Sequence, residues 1–469
     1  MSAHDPRRFD RLPPLAGLAT LEEAARPGLL VEACTARWKR LHYALKRLHG
    51  ILTARLTAEP IYELKMAFAH HAYLCAEHVS AIRTRVSEMR EPPLGLDEPP
   101  HPALAVFFDE ILAAPTTEQL LFGIYAVAVQ AVDAAAAKYE HDTNPLTDAP
   151  SRRLLRFLRL ELAELLAYGA QALQALGAPD DRKTAAADLA VLLRSAGGLD
   201  GTGEHSPDLP VRNHSATPFA YDPIPKRDER FVDLWNQGVN PEAFLYSDDF
   251  PASAKVLMML YKRLREIDVP EMMAGIIAET AGKPWDYYRD MSRQLWDEAR
   301  HAMMGQVGFT ALGVDWTTAR ITWNWSYRLN TECTPLERHA VLYFIEQGLM
   351  PKTGKRYEYE TARNSGVPLA AVIQDFDWAD EVLHSQNGRR WYVAEFESSA
   401  QALAFGDQAW SRILSNWATV KDQGLTMHEN WWPRLYAQAC EAAGTTPDSL
   451  VLKYDISYDG RRADLKTVT

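Results

Sequence analysis

Two pentapeptides limit what this chain can fold into: Asp297-Glu298-Ala299-Arg300-His301 and Asp380-Glu381-Val382-Leu383-His384, both Asp-Glu-x-x-His. Each lies in a stretch that reads as helix. Residues three apart on a helix share a face, so each Glu and its His can grip one ion. Two such pairs on facing helices are half of a carboxylate-bridged two-metal centre, and the other half is one carboxylate from each of two neighbouring helices. The pattern therefore predicts an all-α chain with a four-helix bundle around both segments.

Composition narrows the rest. The 469 residues suit two to three domains at ~150 residues each. The chain is 47% hydrophobic and 24% charged, a globular balance. Its net charge of −12 argues against a broad nucleic-acid footprint, which needs a basic face. No nucleic-acid partner is expected. No run of about 20 apolar residues is present, so no membrane partner is expected either. The polar, Pro-containing N-terminal stretch lacks the apolar core of a secretory signal. Cys34, Cys75, Cys333 and Cys440 form no Cys-x-x-Cys pair and read as reduced thiols, which suits a cytoplasmic location.

Apolar residues at three- and four-residue spacing predict helices around 31–57, 60–90, 101–113, 116–142, 150–177 and 183–196. Glu91-Pro92-Pro93, Pro99-Pro100 and Asn144-Pro145 punctuate them. Residues 1–203 thus read as a first helical domain. Residues 204–250, with Pro207, Pro210, Pro218, Pro223 and Pro225, read as a linker. Residues 251–400 form the candidate metal domain. Residues 401–469 add further helices and a tail in which Asp459-Gly460 suits a small hairpin. Within 251–400, one helix is expected to about 281 with a kink at Pro270, and the next from Trp285 to about Leu312. A third starts at Thr334-Pro335-Leu336-Glu337, with Thr as N-cap, Pro at the first position and Glu closing a capping box. A fourth begins near Pro368 and runs past His384.

In an antiparallel hairpin, residues equidistant from the turn stand side by side. Glu346 and Glu381 are centred on the turn near Arg363-Asn364. Glu346 follows the apolar Val341-Leu342-Tyr343-Phe344-Ile345, where a lone Glu is costly unless it has a partner such as a metal. Glu271 and Glu298 are centred beside Pro284, and Glu266 and Glu298 on Gly282. The stripe Leu257, Leu260, Leu264, Ile267 continues to Glu271, which makes Glu271 the preferred ligand. Glu266 and Asp268 are the alternatives, because Pro270 can rotate the phase. The expected ligand set is Glu271, Glu298, His301, Glu346, Glu381 and His384. Oxygen and imidazole donors suit iron or manganese, and the lack of thiolates argues against structural zinc. A ligating imidazole usually donates its other N–H to a carboxylate. In a crossed pair, Asp297 would hold His384 and Asp380 would hold His301.

Three other groups draw notice. His71, Cys75 and His78 share one helical face and could join Glu77, His141, Glu161 or Glu164 at a second ion, but packing is the stronger reading. Trp316, Trp323, Trp325 and Tyr327 read as core, with a substrate-pocket lining or redox traffic near the metals as the alternatives. Lys352, Lys355 and Arg356 read as a solvent-facing basic run, with the gating of an anionic substrate as the alternative.

The succession Glu, Asp-Glu-Ala-Arg-His, Glu, Asp-Glu-Val-Leu-His resembles the ferritin-like di-metal carboxylate superfamily. Trp296-Asp297-Glu298-Ala299-Arg300-His301 is similar in particular to a stretch shared by ferritin-like-domain proteins. The resemblance covers 251–400. Thr143-Asn144-Pro145-Leu146, leading into Arg153-Leu154-Leu155-Arg156-Phe157, resembles the N-terminal region of such proteins more distantly. It implies a ferritin-like four-helix bundle preceded by a second helical bundle and followed by C-terminal helices. It also implies two iron ions, with manganese as the alternative, and an outer role for Arg300. Leu383 departs from the pattern, since many members carry Arg there. The function implied is an oxidoreductase, a di-iron oxidase or oxygenase that activates dioxygen to oxidise a small organic substrate. An electron donor and a homodimer are compatible with it. The alternatives are a manganese or mixed-metal enzyme handling peroxide, and a non-catalytic helical interaction protein with a structural metal site.

Overall fold

The computed structural model describes residues 10, 12–90, 95–177, 182–206, 211–350, 354–415, 420 and 422–457. Among them the chain is helical throughout, and no strand forms beyond an isolated bridge between Ala196 and His205. Glu91-Pro92-Pro93, Pro207, Pro210, Lys352 and Asp459-Gly460 lie outside the described residues.

The chain divides into two compact units, Met1–Ile51 with Leu74–Ala220, and Leu52–Tyr73 with Tyr221–Thr469. The sequence reading set the first boundary near 203 and gave 52–73 to the first domain. Thr57 and Lys65 instead join the second unit. Thr57 Oγ1 donates to the Glu271 carbonyl at 2.8 Å, and Lys65 is buried against the Glu271 side chain. The expected linker is also more than a connection: Arg227 is built into that same network.

The first unit draws on the helices α1 (Val31–Leu56), α2 (Tyr62–Ser87), α3 (Pro102–Leu112), α4 (Thr117–Asp142), α5 (Ala149–Leu176) and α6 (Arg182–Ser195). On α5 the buried residues Leu155, Leu158, Leu162, Leu165 and Gly169 recur every three or four positions, the stripe of an amphipathic helix. Asp148 anchors the unit, accepting from Thr143 Oγ1 at 2.8 Å and Arg85 Nη2 at 3.0 Å. By length and composition α4 is apolar enough to cross a membrane, which the sequence reading had not expected. More than half of its most apolar window is buried inside the protein, where Leu120, Ile124, Val132 and Tyr139 serve as core.

In the second unit the main helices are α7 (Ala252–Arg265), α8 (Asp268–Glu279), α9 (Trp285–Ala311), α10 (Asn324–Glu332), α11 (Pro335–Gly348), α12 (Lys355–Arg363) and α13 (Pro368–Trp391). After them come α14 (Ser399–Ser415) and α15 (Trp432–Ala442). α7 and α8 pack on α9, α9 and α11 on α13, and α8 on α11, which closes a helical bundle. α12 lies against α7 and α13, and α14 against α11. Thr334 forms its capping box with Glu337 at the head of α11. The C-terminal helices are held by fully buried Trp410, Trp431 and Trp432. The tail does not start as a hairpin, because Ser449–Leu452 is helical.

The break between α7 and α8 sets the site. Proline cannot donate to the carbonyl four residues earlier and its ring clashes with it. For Pro270 that carbonyl belongs to Glu266, and the helix stops at Arg265 and restarts at Asp268. Glu266 therefore stands at an interruption rather than on a continuous stripe.

Candidate metal centre

Glu266 closes α7, Glu298 and His301 come from α9, Glu346 from α11, and Asp377, Glu381 and His384 from α13. Their donor atoms converge in two groups, Glu266 with His301, Asp377 and Glu381, and Glu298 with Glu346, Glu381 and His384. Within each group the donors lie within 4.8 Å of one another, and Glu381 belongs to both. His301 Nδ1 is 3.3 Å from Glu266 and 3.6 Å from Glu298. His384 Nδ1 is 3.0 Å from Glu298, 3.5 Å from Glu381 and 3.7 Å from Glu346.

The outer faces of the imidazoles are held crosswise. His301 Nε2 is 3.2 Å from Asp380, and His384 Nε2 is 3.5 Å from Asp297. Arg300 Nη2 donates to both aspartates. Arg293 Nε adds a second clamp on Asp297 at 2.9 Å.

Glu271 is not part of this cluster. It is fully buried, and it accepts from Lys65 Nζ at 2.6 Å, Arg227 Nη2 at 2.9 Å and Ser326 Oγ at 2.9 Å. Asp268 shares Arg227 and Ser326. The stripe argument identified a buried glutamate but not its partners, and the helix break hands the ligand position to Glu266.

Among the described residues, six buried atoms of the two groups make no hydrogen bond: Glu266 Oε2, Glu298 Oε1, His301 Nδ1, Glu381 Oε2 and both ring nitrogens of His384, whose Nε2 only approaches Asp297. Orphaned buried polar atoms are rare enough to need a reason, such as an ion. The donors are carboxylate oxygen and imidazole nitrogen, the set that suits iron or manganese. Charge points the same way. Burial raises the Glu346 carboxyl, and its neighbours Glu381 and Glu298 push it well above the usual carboxylate range. Burial also disfavours charged His301, yet Asp380, Glu266 and Glu298 outweigh it and hold the imidazole up to about 10. Beside the fixed cations Lys355 and Arg263, these carboxylates favour a proton on Glu346 and on His301. A metal would take its place, since a ligating imidazole must be neutral.

Two residues escaped the sequence reading. Asp377 sits one turn before Glu381 on the same face of α13, and that four-residue spacing was its signal. Lys355 was expected in solvent. Instead it is buried at 1% exposure, donating to Asp377 and Glu381. Nothing in the sequence around it marks it. Arg356 pairs with Glu360 on the exposed face of α12. Both Asp-Glu-x-x-His segments also continue to a glycine four residues after the histidine, Gly305 and Gly388. A Cβ on Gly305 would come within 2.3 Å of the Leu264 backbone nitrogen, and one on Gly388 within 2.3 Å of the Tyr343 ring. These glycines let α7 and α11 approach closely enough to deliver Glu266 and Glu346.

A cavity of about 450 Å³ opens onto the carboxylates, within the size range of small-molecule sites. Glu266, Glu298, Glu346 and Glu381 line it, together with Arg263, Arg265 and the apolar Met272, Leu329, Val341, Leu342 and Ile345. Trp325 faces the cavity and also meets Trp410 edge-on, whereas Trp323 packs with Trp235 and Tyr327. His71, Cys75 and His78 form no candidate ion site among the described residues. His78 pairs with Glu161, and burial pushes the Cys75 thiol up to about 12.

Comparison with known protein families, curated proteins and solved structures finds no match for this chain.

Proposed function

We propose that the second unit is a carboxylate-bridged two-metal oxidoreductase of the ferritin-like kind, acting on a small organic substrate with dioxygen. The observation that carries this reading is the pair of four-donor groups sharing Glu381, with unbonded donor atoms between them. Glu266, Glu298, His301, Asp377, Glu346, Glu381 and His384 would hold the ions. Two iron ions, or manganese in their place, would supply the activation of dioxygen. Asp297 and Asp380 fix the tautomer and direction of the imidazoles. The apolar wall along α11 keeps water from the substrate and orients it towards the carboxylate side. That cavity also favours the enzymatic reading over a structural metal site, which needs no space beside it.

The test is metal analysis after anaerobic loading with ferrous iron, on the native chain and on Glu346→Ala. The native chain should retain more than about one ion per chain, and the variant fewer. Oxygenation of the loaded native protein should change its optical spectrum. Retention of less than one ion by the native chain overturns the reading. Bound iron with no optical response to dioxygen, and a large fall in melting temperature on its removal, would leave only the structural role.

A further inference from the structure

Glu381 belongs to both groups of donors, and its two oxygens are not alike. Oε2 lies 3.5 Å from His384 Nδ1 and has no hydrogen bond. Oε1 accepts from Lys355 Nζ at 2.8 Å. The same ammonium donates to Asp377 Oδ1 and Oδ2 at 2.8 and 2.9 Å. Asp377 is further paired with Arg263, whose Nη2 lies 2.8 Å from Glu266. Glu266, Asp377 and Glu381, the three carboxylates grouped with His301, therefore already face a fixed, buried cation. Glu298 and Glu346 form ion pairs with histidine alone among the described residues.

We propose that the two ion positions are unequal, and that Lys355 is the positioning residue that makes them so. The inference rests on the two-metal reading above. The position at Glu298, Glu346, Glu381 Oε2 and His384 takes an ion first and holds it tightly. The position at Glu266, His301, Asp377 and Glu381 Oε1 fills second, because the ammonium must leave Glu381 and then remains a like charge a few ångströms away in a poorly screened interior. The weak ion is the exchangeable one, and Lys355 decides how easily it enters and leaves.

The experiment is equilibrium titration of the full chain with manganous ion, counting unbound ion by its paramagnetic resonance signal. The native chain should bind one ion at least about tenfold more tightly than a second. Lys355→Met should tighten the second ion by at least about tenfold and leave the first nearly unchanged. Glu346→Ala should remove the tight class and spare the weak one. Should Lys355→Met fail to fold by circular dichroism, Lys355→Gln, which is one atom shorter but keeps an N–H donor without the charge, replaces it. Two equal ions in the native chain, or a second ion no tighter in either Lys355 variant, would overturn the inference. A native chain that binds no ion overturns the two-metal reading itself, a result distinguishable from either.

Discussion

Glu271 and Glu346 are both helix glutamates of the second unit, and both are almost completely buried. Their surroundings are opposite. Glu271 is closed: Lys65, Arg227 and Ser326 occupy its oxygens, and although burial raises its pKa, Arg227 and Lys65 bring it below the usual range. Glu346 faces Glu298, Glu381 and His384 with no fixed cation of its own, and its pKa rises. A buried carboxylate is therefore not a ligand by virtue of burial. What separates a structural glutamate from a candidate ligand is whether side-chain cations already complete its shell.

The largest effect should come from opening the closed side. Arg227→Met leaves Asp268 and Glu271 short of their shared guanidinium. Loss of one partner of a buried charge pair usually costs about 3–5 kcal/mol. Urea unfolding of the metal-free protein should show a loss of that size. A loss under about 1 kcal/mol would mean that Lys65 alone satisfies the network.

The same contrast extends to histidine, with a smaller effect. His49, in the first unit, is fully buried, and burial followed by Lys46 pushes its pKa down to about 4. An unfolded histidine titrates near 6.5. The unfolded chain thus binds the proton more readily, so the contribution of His49 is complete above pH ~6.5 and declines as pH falls towards ~4. Between pH 7.5 and pH 5 the native chain should lose about 2 kcal/mol on this account. In His49→Gln that portion of the pH dependence should vanish. Equal pH slopes for both proteins in urea unfolding would refute this. His301 shifts in the opposite direction because carboxylates surround it.

The smallest effect is expected where the cluster is open. Glu346 is pushed towards its neutral form, so Glu346→Gln replaces one uncharged group with another of the same shape. Metal-free stability should change by less than about 1 kcal/mol. A loss comparable to that of Arg227→Met would show that Glu346 is as closed as Glu271.

Much of this was legible in the sequence, for local reasons. Helix periodicity, the Thr334 cap and the two Asp-Glu-x-x-His segments depend on residues within a turn or two of one another. Glu346 does stand beside Glu381, but not across one antiparallel turn: α12 intervenes between α11 and α13, and the direct packing of those two helices brings the carboxylates together. What escaped depends on distant partners. The apolar stripe points to Glu271 only if the helix runs unbroken across Pro270, whereas it stops at Arg265 and restarts at Asp268, leaving Glu266 at the break. The decisive cations for Glu271 come from Lys65 and Arg227, far away in sequence, and local text says nothing about them. Lys355 opens a short helix in a charged segment and looks like a solvated lysine, yet its ammonium ends between two carboxylates of α13. The grouping of 52–73 with the second unit is likewise a matter of long-range packing.

Gly305 and Gly388 carry one more consequence. Where they stand, a helix has no side chain to compress, and its neighbour rests against bare backbone. Such contacts act as mechanical stops. They set the minimum gap between the layers of the bundle without tying the layers together. The spacing of the layers around the site is thus gauged at Gly305 by main chain against main chain and at Gly388 by the Tyr343 ring against main chain, whatever ion enters.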